Sequence, residues 1–343
     1  MRKCSIGNLD ALFAAIAKNA DLYLPVDNKD GRADYKKWEE GTVLSEALNT
    51  ARSPKDFFFP QSEDLMAFKT SGKTIEIIDT REESADFVLF GVKACDVKSL
   101  EVLDKVFLSD VEDSYYATKR EHATIISMVC ARPNETCFCR TFGIDNTNPG
   151  GDVVCTKGDD AYYFEAVSEK GEKLLAALES VTEACGEADA GAVADAKAKT
   201  DAIMARLPLA SLTADAFGAG KTDKYFDNPE WKKLSESCLG CGTCTFVCPT
   251  CQCYDIKDFN TGHGVIRFRC WDSCMYSDFT KMSAGQPRMT QVERFRQRFM
   301  HKLVYFPERY GMYSCVGCGR CLQRCPISMN IVKVMKTVGG EEK

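Results

Sequence analysis

The sequence predicts an α/β domain over residues 1–216, a linker at 217–232, and a smaller α+β domain over 233–343 interrupted by a helical insertion at 249–314. Three observations predict this. Apolar strand-like runs alternate with amphipathic helical patterns in the first part. The cysteines crowd into the last third. The two crowded runs, "SCLGCGTCTFVCPTCQCYD" (237–255) and "SCVGCGRCLQRCP" (314–326), repeat one spacing at a distance.

The elements follow in order. "MRKCSIGNLDALFAAIAKNA" begins basic and then apolar, as a signal peptide does. However, Leu9, Leu12, Phe13 and Ile16 share one helical face, so an amphipathic helix is expected instead. "AFKTSGKT" (67–74) matches a loose phosphate-loop pattern, with Ala67 in place of the first glycine. A true phosphate loop follows a strand and opens a helix. Here a helix-like "SEDLMAF" precedes and a strand-like "TIEIIDT" follows, so the order is reversed and the match is rejected. "ADFVLFGV" (85–92) reads as a buried strand, "KACDVKSLEVLDKVF" as a helix and "ATIISMV" (123–129) as a second strand, together a βαβ unit. "AYYFEAV" (161–167) is a third strand leading into the helix "EKLLAAL", and the Ala-rich stretch 183–207 is helical. "FGAGKTDKYFDNPEW" (217–231) reads as the linker.

Composition excludes several classes. A net charge of −6 and a pI near 5.4 argue against nucleic-acid binding. Mean hydropathy is −0.25 and no apolar run reaches the ~18 residues of a membrane span. Nineteen cysteines in 343 residues, odd in number and bunched, do not form the even framework of a short secreted scaffold. Thiolates held by metal in a reducing cytoplasm are expected.

Cys238, Cys241, Cys244 and Cys248 follow C-x2-C-x2-C-x3-C-P, and Cys315, Cys318, Cys321 and Cys325 repeat it. This is the cluster-binding run of bacterial ferredoxins. Two-residue spacers wrap the backbone around one corner of a cubane. Gly240, Gly242, Gly317 and Gly319 stand where a side chain would crowd it. The fourth cysteine, carried on by a helical turn, faces the neighbouring cluster. The expected ligand sets are therefore crossed: Cys238, Cys241, Cys244 and Cys325 for one 4Fe–4S cluster, and Cys315, Cys318, Cys321 and Cys248 for the other. A zinc site would use four ligands in two pairs, not four thiols twice. The second domain is thus a dicluster ferredoxin-like one. With thiolates on every iron and no vacancy for substrate, it moves electrons.

Other thiols are candidates for more. Cys95 follows the first βαβ strand, Cys130 follows the second, and Cys137 and Cys139 lie one loop further on. Parallel strands present their carboxyl ends on one side, so these four are a candidate third 4Fe–4S site. Cys251, Cys253, Cys270 and Cys274, in the insertion, are candidates for a further cluster. The alternative is that they are small buried residues near the cofactors. Cys4, Cys155 and Cys185 lack local partners and receive no role.

The insertion also contains "VERFRQRFMHKLVYF", with Val292, Phe295, Phe299, Leu303 and Phe306 as an apolar stripe and Arg294, Arg298 and Lys302 on another face. Seven Lys/Arg between Lys281 and Tyr310 oppose only Glu293 and Glu308. Such a row is a solvated face, a dock for an acidic partner, or a charge that favours the reduced clusters. His263 in "TGHG" reads as a turn residue. No G-x-G-x-x-G fingerprint occurs, so nucleotide binding is not expected of this chain.

"GVKACDVKSLEVLD", "TCFCRTFG", "CLGCGTCTFVCPTCQCYDI", "RCWDSCMYSDFT" and "YSCVGCGRCLQRCPISMNI" together resemble the beta subunit of cytoplasmic sulfhydrogenases and the corresponding iron–sulfur subunit of anaerobic sulfite reductases, from about Ala51 to Met335. The resemblance includes the "WDSC" and "RFRQRFMHKLVYF" segments, which ferredoxins in general lack. It implies an iron–sulfur electron-transfer subunit of an anaerobic oxidoreductase complex. The implied neighbours are a ferredoxin–NADP reductase-like subunit with FAD and a 2Fe–2S cluster, and a hydrogenase, sulfite reductase or heterodisulfide reductase-like module. Flavin is expected in the partner and not in this chain. The rival readings are an iron–sulfur redox sensor and a flavin-binding catalytic subunit.

Overall fold

The structure, a computed structural model, describes residues 1–47, 49–81 and 85–340. Its frame is an eight-stranded mixed sheet built from β1 (Arg2–Ser5), β2 (Asp21–Asp27), β3 (Ala33–Lys37), β6 (Phe87–Lys93), β7 (Ala123–Met128), β8 (Val153–Lys157), β9 (Ala161–Ala166) and β10 (Glu183–Ala184). The strand order is β10-β1-β9-β8-β7-β6-β2-β3. The central pairs β2–β6, β6–β7 and β7–β8 are parallel, and the flanking pairs are antiparallel. Val88, Leu89, Phe90 and Val92 of β6 are buried on both faces, as a central parallel strand requires.

Most expected elements are present. The amphipathic helix runs Leu9–Ala17 and buries Leu12, Phe13 and Ile16. The βαβ unit has β6, the helix Ala94–Phe107 and β7. A helix spans Glu169–Ala177, and the Ala-rich helix spans Glu187–Met204. Cys4 and Cys155 are buried in the core beneath the first helix.

Three expectations are corrected. The helix-like 62–68 stretch is a strand: β4 (Ser62–Ser71) forms a hairpin with β5 (Thr74–Asp79). Leu65, Met66 and Ala67 have helical propensity, but ladders on both sides of β4 outweigh it. The phosphate-loop match therefore falls on a hairpin turn, strand to strand, and its rejection holds. The insertion is also not wholly helical. It opens with the hairpin β11 (Tyr254–Asn260) and β12 (Val265–Trp271), with His263 in the turn. β12 pairs with β4 to complete a second sheet, β11-β12-β4-β5, that joins the two halves of the chain.

The expected linker is packed as core. Phe217, Tyr225 and Trp231 are buried with Phe295, Phe299 and Leu303. The Trp231 indole donates to the Tyr225 carbonyl at 2.7 Å. The cause lies in the helix beginning at Gln291, which opens with a Thr290–Glu293 capping box. Pro307 has no N–H to offer the Leu303 carbonyl. The turn His301–Tyr305 widens to π form, and Gly218 N donates to that carbonyl instead, at 2.9 Å.

Candidate iron–sulfur site

The two ferredoxin-type runs fold alike. Gly242 and Gly319 adopt left-handed φ (+73° and +78°) and open the short helices Thr243–Phe246 and Arg320–Arg324, which pack against each other. Cys244 and Cys238 are neighbours. Cys248 lies within electrostatic reach of Cys315, Cys318 and Cys321, across the dyad from its own run. Cys241 is the exposed member, its thiol lowered by a hydrogen bond with the Thr243 hydroxyl. Among the described residues, no three His, Cys, Asp or Glu side chains close on a point tightly enough for a single metal ion.

Cations surround these thiols from within. Arg298 and Lys302, one helical turn apart, are each only 3% exposed. Lys302 Nζ donates to Cys248 Sγ at 3.3 Å, to Thr250 Oγ1 at 2.9 Å and to the Ser314 carbonyl at 3.1 Å. Arg298 faces Cys244, Cys321, Cys251 and Cys248. Of the three readings of the basic row, Arg298 and Lys302 fit the charge facing the thiols: their side chains are turned inward, and Arg294 is occupied with the carbonyls of Met275, Arg288 and Met289. Lys55, from the first domain and fully buried, lies 3.6 Å from the Trp271 ring centroid. It donates to the carbonyls of Cys248 and Cys251 at 3.1 and 3.0 Å. Nothing in the sequence around Lys55 marks it; only the fold brings it here.

The four N-terminal thiols also come together. Cys95, Cys130, Cys137 and Cys139 line one small pocket, together with Asn49, Asn146 and Cys318 of the second run. The loop carrying Cys137 and Cys139 is sewn to that run. Phe138 N donates to the Gly317 carbonyl at 2.9 Å, Asn49 Nδ2 to the Cys318 carbonyl at 2.9 Å, and Gln323 to Thr136 at 3.0 Å. Beside it, Arg320 and Asp96, each 2% exposed, form a two-pronged ion pair at 2.5 and 2.7 Å. Sequence reading missed this pair, since it joins residues far apart in the chain.

Among the insertion thiols, Cys251, Cys253 and Cys274 are neighbours, with Cys253 and Cys274 in hydrogen-bond contact. Cys270 lies on the face of β12 opposite Trp271 and Arg269, which pack on Phe59.

The residues fit iron–sulfur clusters on two counts. Burial pushes the Cys315, Cys137 and Cys139 thiols up to about 12. As free thiols these three would be neutral, whereas Cys248, which accepts from Lys302, is pulled well below the ordinary thiol range by a hydrogen bond with Cys251 and by the Lys302 ammonium. Metal coordination deprotonates such thiols outright. Buried hydrogen-bond donors without protein partners also gather here: Arg298 Nε and Ser314 Oγ at the dicluster, and Asn146 Nδ2 at the four-thiol pocket. Cluster sulfurs accept such donors and tune potential through them.

The doubled thiol runs and their inward cations define an iron–sulfur protein with a dicluster domain. A family model described as "4Fe-4S dicluster domain" matches residues 237–329. Sulfhydrogenase 2 subunit beta of Pyrococcus furiosus is 34% identical over 321 residues, covering 92% of each chain. This chain belongs to the sulfhydrogenase beta-subunit family. No solved structure matches it. No described helix is long and apolar enough to cross a membrane.

Proposed function

We propose that the chain is the electron-relay subunit of an oxidoreductase complex, with two 4Fe–4S clusters held in crossed sets and a third held by Cys95, Cys130, Cys137 and Cys139. Bound there, the clusters supply one-electron redox chemistry. Cys238, Cys241, Cys244 and Cys325 form the set with an exposed thiol, at Cys241, and so the contact with a partner's redox centre. Cys315, Cys318, Cys321 and Cys248 form the interior set. Cys318 also lines the third pocket, and that shared wall carries the reading of one continuous path. Arg298, Lys302 and Lys55 provide positive charge that favours the more negative, reduced state. The partners are those the resemblance implies: a flavin-bearing NAD(P)H-reactive subunit on one side and a terminal reductase or hydrogenase on the other. The relative's printed name, a hydrogenase's beta subunit, supports membership in a complex.

Iron, acid-labile sulfide and flavin in the anaerobically purified chain test this. About twelve irons, falling to about eight in Cys137→Ser/Cys139→Ser with the dicluster EPR signals retained, are expected for three cubanes. About eight irons in the unmodified chain would remove the third cluster. Flavin near one per chain would make this subunit catalytic.

A further inference from the structure

Four thiols of the insertion serve none of the three clusters above: Cys251, Cys253, Cys270 and Cys274. The hairpin register gathers them. Asp255 stands opposite Cys270 in the β11–β12 ladder. Asp272 N donates to the Cys253 carbonyl at 2.9 Å, which carries that ladder one pair further and sets Cys253 opposite Asp272. Residues two apart on a strand share a face, so Cys253 and Cys270 stand on the same face as diagonal neighbours. Such neighbours lie about 7–8 Å apart. The Cys274 backbone N–H and thiol both meet the Cys253 sulfur, and Cys251 is next to Cys274.

Buried hydrogen bonds fix the segments that bear these thiols. The hydroxyls of Ser273 and Thr245, both buried, join at 2.8 Å and tie the bend before Cys274 to the first ferredoxin-type run. Met275 N donates to Ser273 Oγ at 3.2 Å, and Lys55 Nζ holds the Cys251 carbonyl at 3.0 Å. A metal site needs its ligands held by such a supporting shell. Packing does not account for the four thiols. Cysteines used as small hydrophobes sit inside apolar clusters. None of these four belongs to a hydrophobic cluster among the described residues, and β11, which follows Cys253 directly, is exposed along its whole length.

The spacing selects the group. Cys251 and Cys253 are one residue apart, closer than the roughly two- to four-residue spacers of zinc sites. The pattern Thr-Cys-x-Cys at 250–253 repeats the one at 136–139, which bears two thiols of the third site. The surroundings agree. Cys251 is in hydrogen-bond contact with Cys248, and Cys274 lies within electrostatic reach of Cys244. In the crossed assignment those two partners belong to different clusters.

We propose that Cys251, Cys253, Cys270 and Cys274 hold a fourth 4Fe–4S cluster at the foot of the β11–β12 hairpin, beside both clusters of the dicluster. The proposal rests on the relay reading above for its electrons and on the hairpin thiols alone for its ligands. One electron at a time passes between this centre and a dicluster neighbour, with no bond broken and no proton moved. The reductant that serves the relay supplies it.

The test uses the full chain, purified anaerobically, with iron, acid-labile sulfide and zinc measured per chain and clusters counted by native mass spectrometry. With this centre and the three above, about sixteen irons are expected in the unmodified chain. Cys253→Ser/Cys274→Ser is expected to lose about four of them with the dicluster EPR signals retained, and Cys270→Ala about one to four. Cys137→Ser/Cys139→Ser reads the third site separately. A loss with the insertion variants and none with that pair would remove the third cluster and keep this one. Iron unchanged by both insertion variants overturns the proposal and leaves the relay standing. So does about one zinc per chain that disappears with either variant, which would make the site a structural ion. Iron lost together with one of the dicluster EPR signals also overturns it, since these thiols would then support the dicluster only. If Cys253→Ser/Cys274→Ser strips all iron by misfolding, Cys270→Ala decides, because it alters one side chain on a strand face. Full iron retention there overturns the proposal.

Discussion

Lys302 Nζ stands 3.3 Å from Cys248 Sγ, deep in the interior, with Ser314 and Thr250 completing its shell. Its neighbours push its pKa up despite burial, so the charge persists across the physiological range. One positive charge at about 6–10 Å and an effective dielectric constant near 20 is worth about 2–3 kcal/mol. That corresponds to roughly 85–130 mV for a one-electron couple. Lys302→Met should therefore lower the potential of the dicluster signal by that order in an EPR-monitored redox titration. An unchanged potential would mean that solvent or other dipoles screen the ammonium.

The Asp96–Arg320 pair makes a second prediction. Asp96→Asn leaves a buried guanidinium without its carboxylate, at a cost of about 3–5 kcal/mol. The thermal midpoint should fall sharply. Asp96→Asn/Arg320→Met should recover much of the loss, because the stranded charge is gone. A double variant as unstable as the single would assign the loss to packing.

Glycine at 319 is required by contact as well as by φ. A Cβ there would lie 2.6 Å from the Thr136 carbonyl oxygen. Gly317 likewise presses on the backbone of Phe138. Gly319→Ala should push the Cys137–Cys139 loop off the second run. Iron analysis should then show about four irons lost with dicluster EPR retained. Full iron retention would show that the loop accommodates a methyl group.

His301 supplies a pH dependence. Burial, with Lys302 and Arg288 nearby, pushes its imidazole down to about 4. The unfolded chain binds that proton near pH 6.5 and the folded chain does not. Its contribution to stability is present above about 6.5 and is lost as pH falls from there toward about 4. The thermal midpoint should drop between pH 7 and 5.5, and His301→Gln should reduce that drop. Identical pH profiles would exclude His301 as the source.

The spacing of each ferredoxin-type run was legible because two- and three-residue spacers are local: covalent geometry alone sets how three thiols wrap a corner. The strands at 85–92, 123–129 and 161–167 were legible for the same reason, since burial on both faces leaves a continuous apolar run. The 62–68 stretch was not, because its strand state depends on a hairpin almost two hundred residues away. The apolar stripe from Phe295 to Phe306 was legible as a stripe, and the fold buries it. The basic face beside it was left open between solvent, a partner and the clusters. Periodicity tells which side chains share a face but cannot say what lies opposite.

By itself, then, the sequence determined the chemistry available: eight thiols in ferredoxin spacing, four more at the ends of parallel strands, and a chain without a membrane-length apolar run. Tertiary structure decided where that chemistry acts. It brought Cys95 to Cys130, Cys137 and Cys139 and turned Arg298 and Lys302 inward. Each of these joins residues distant in the chain or chooses between two sides of an element. Sheet order and packing settle such choices, and no local pattern encodes them.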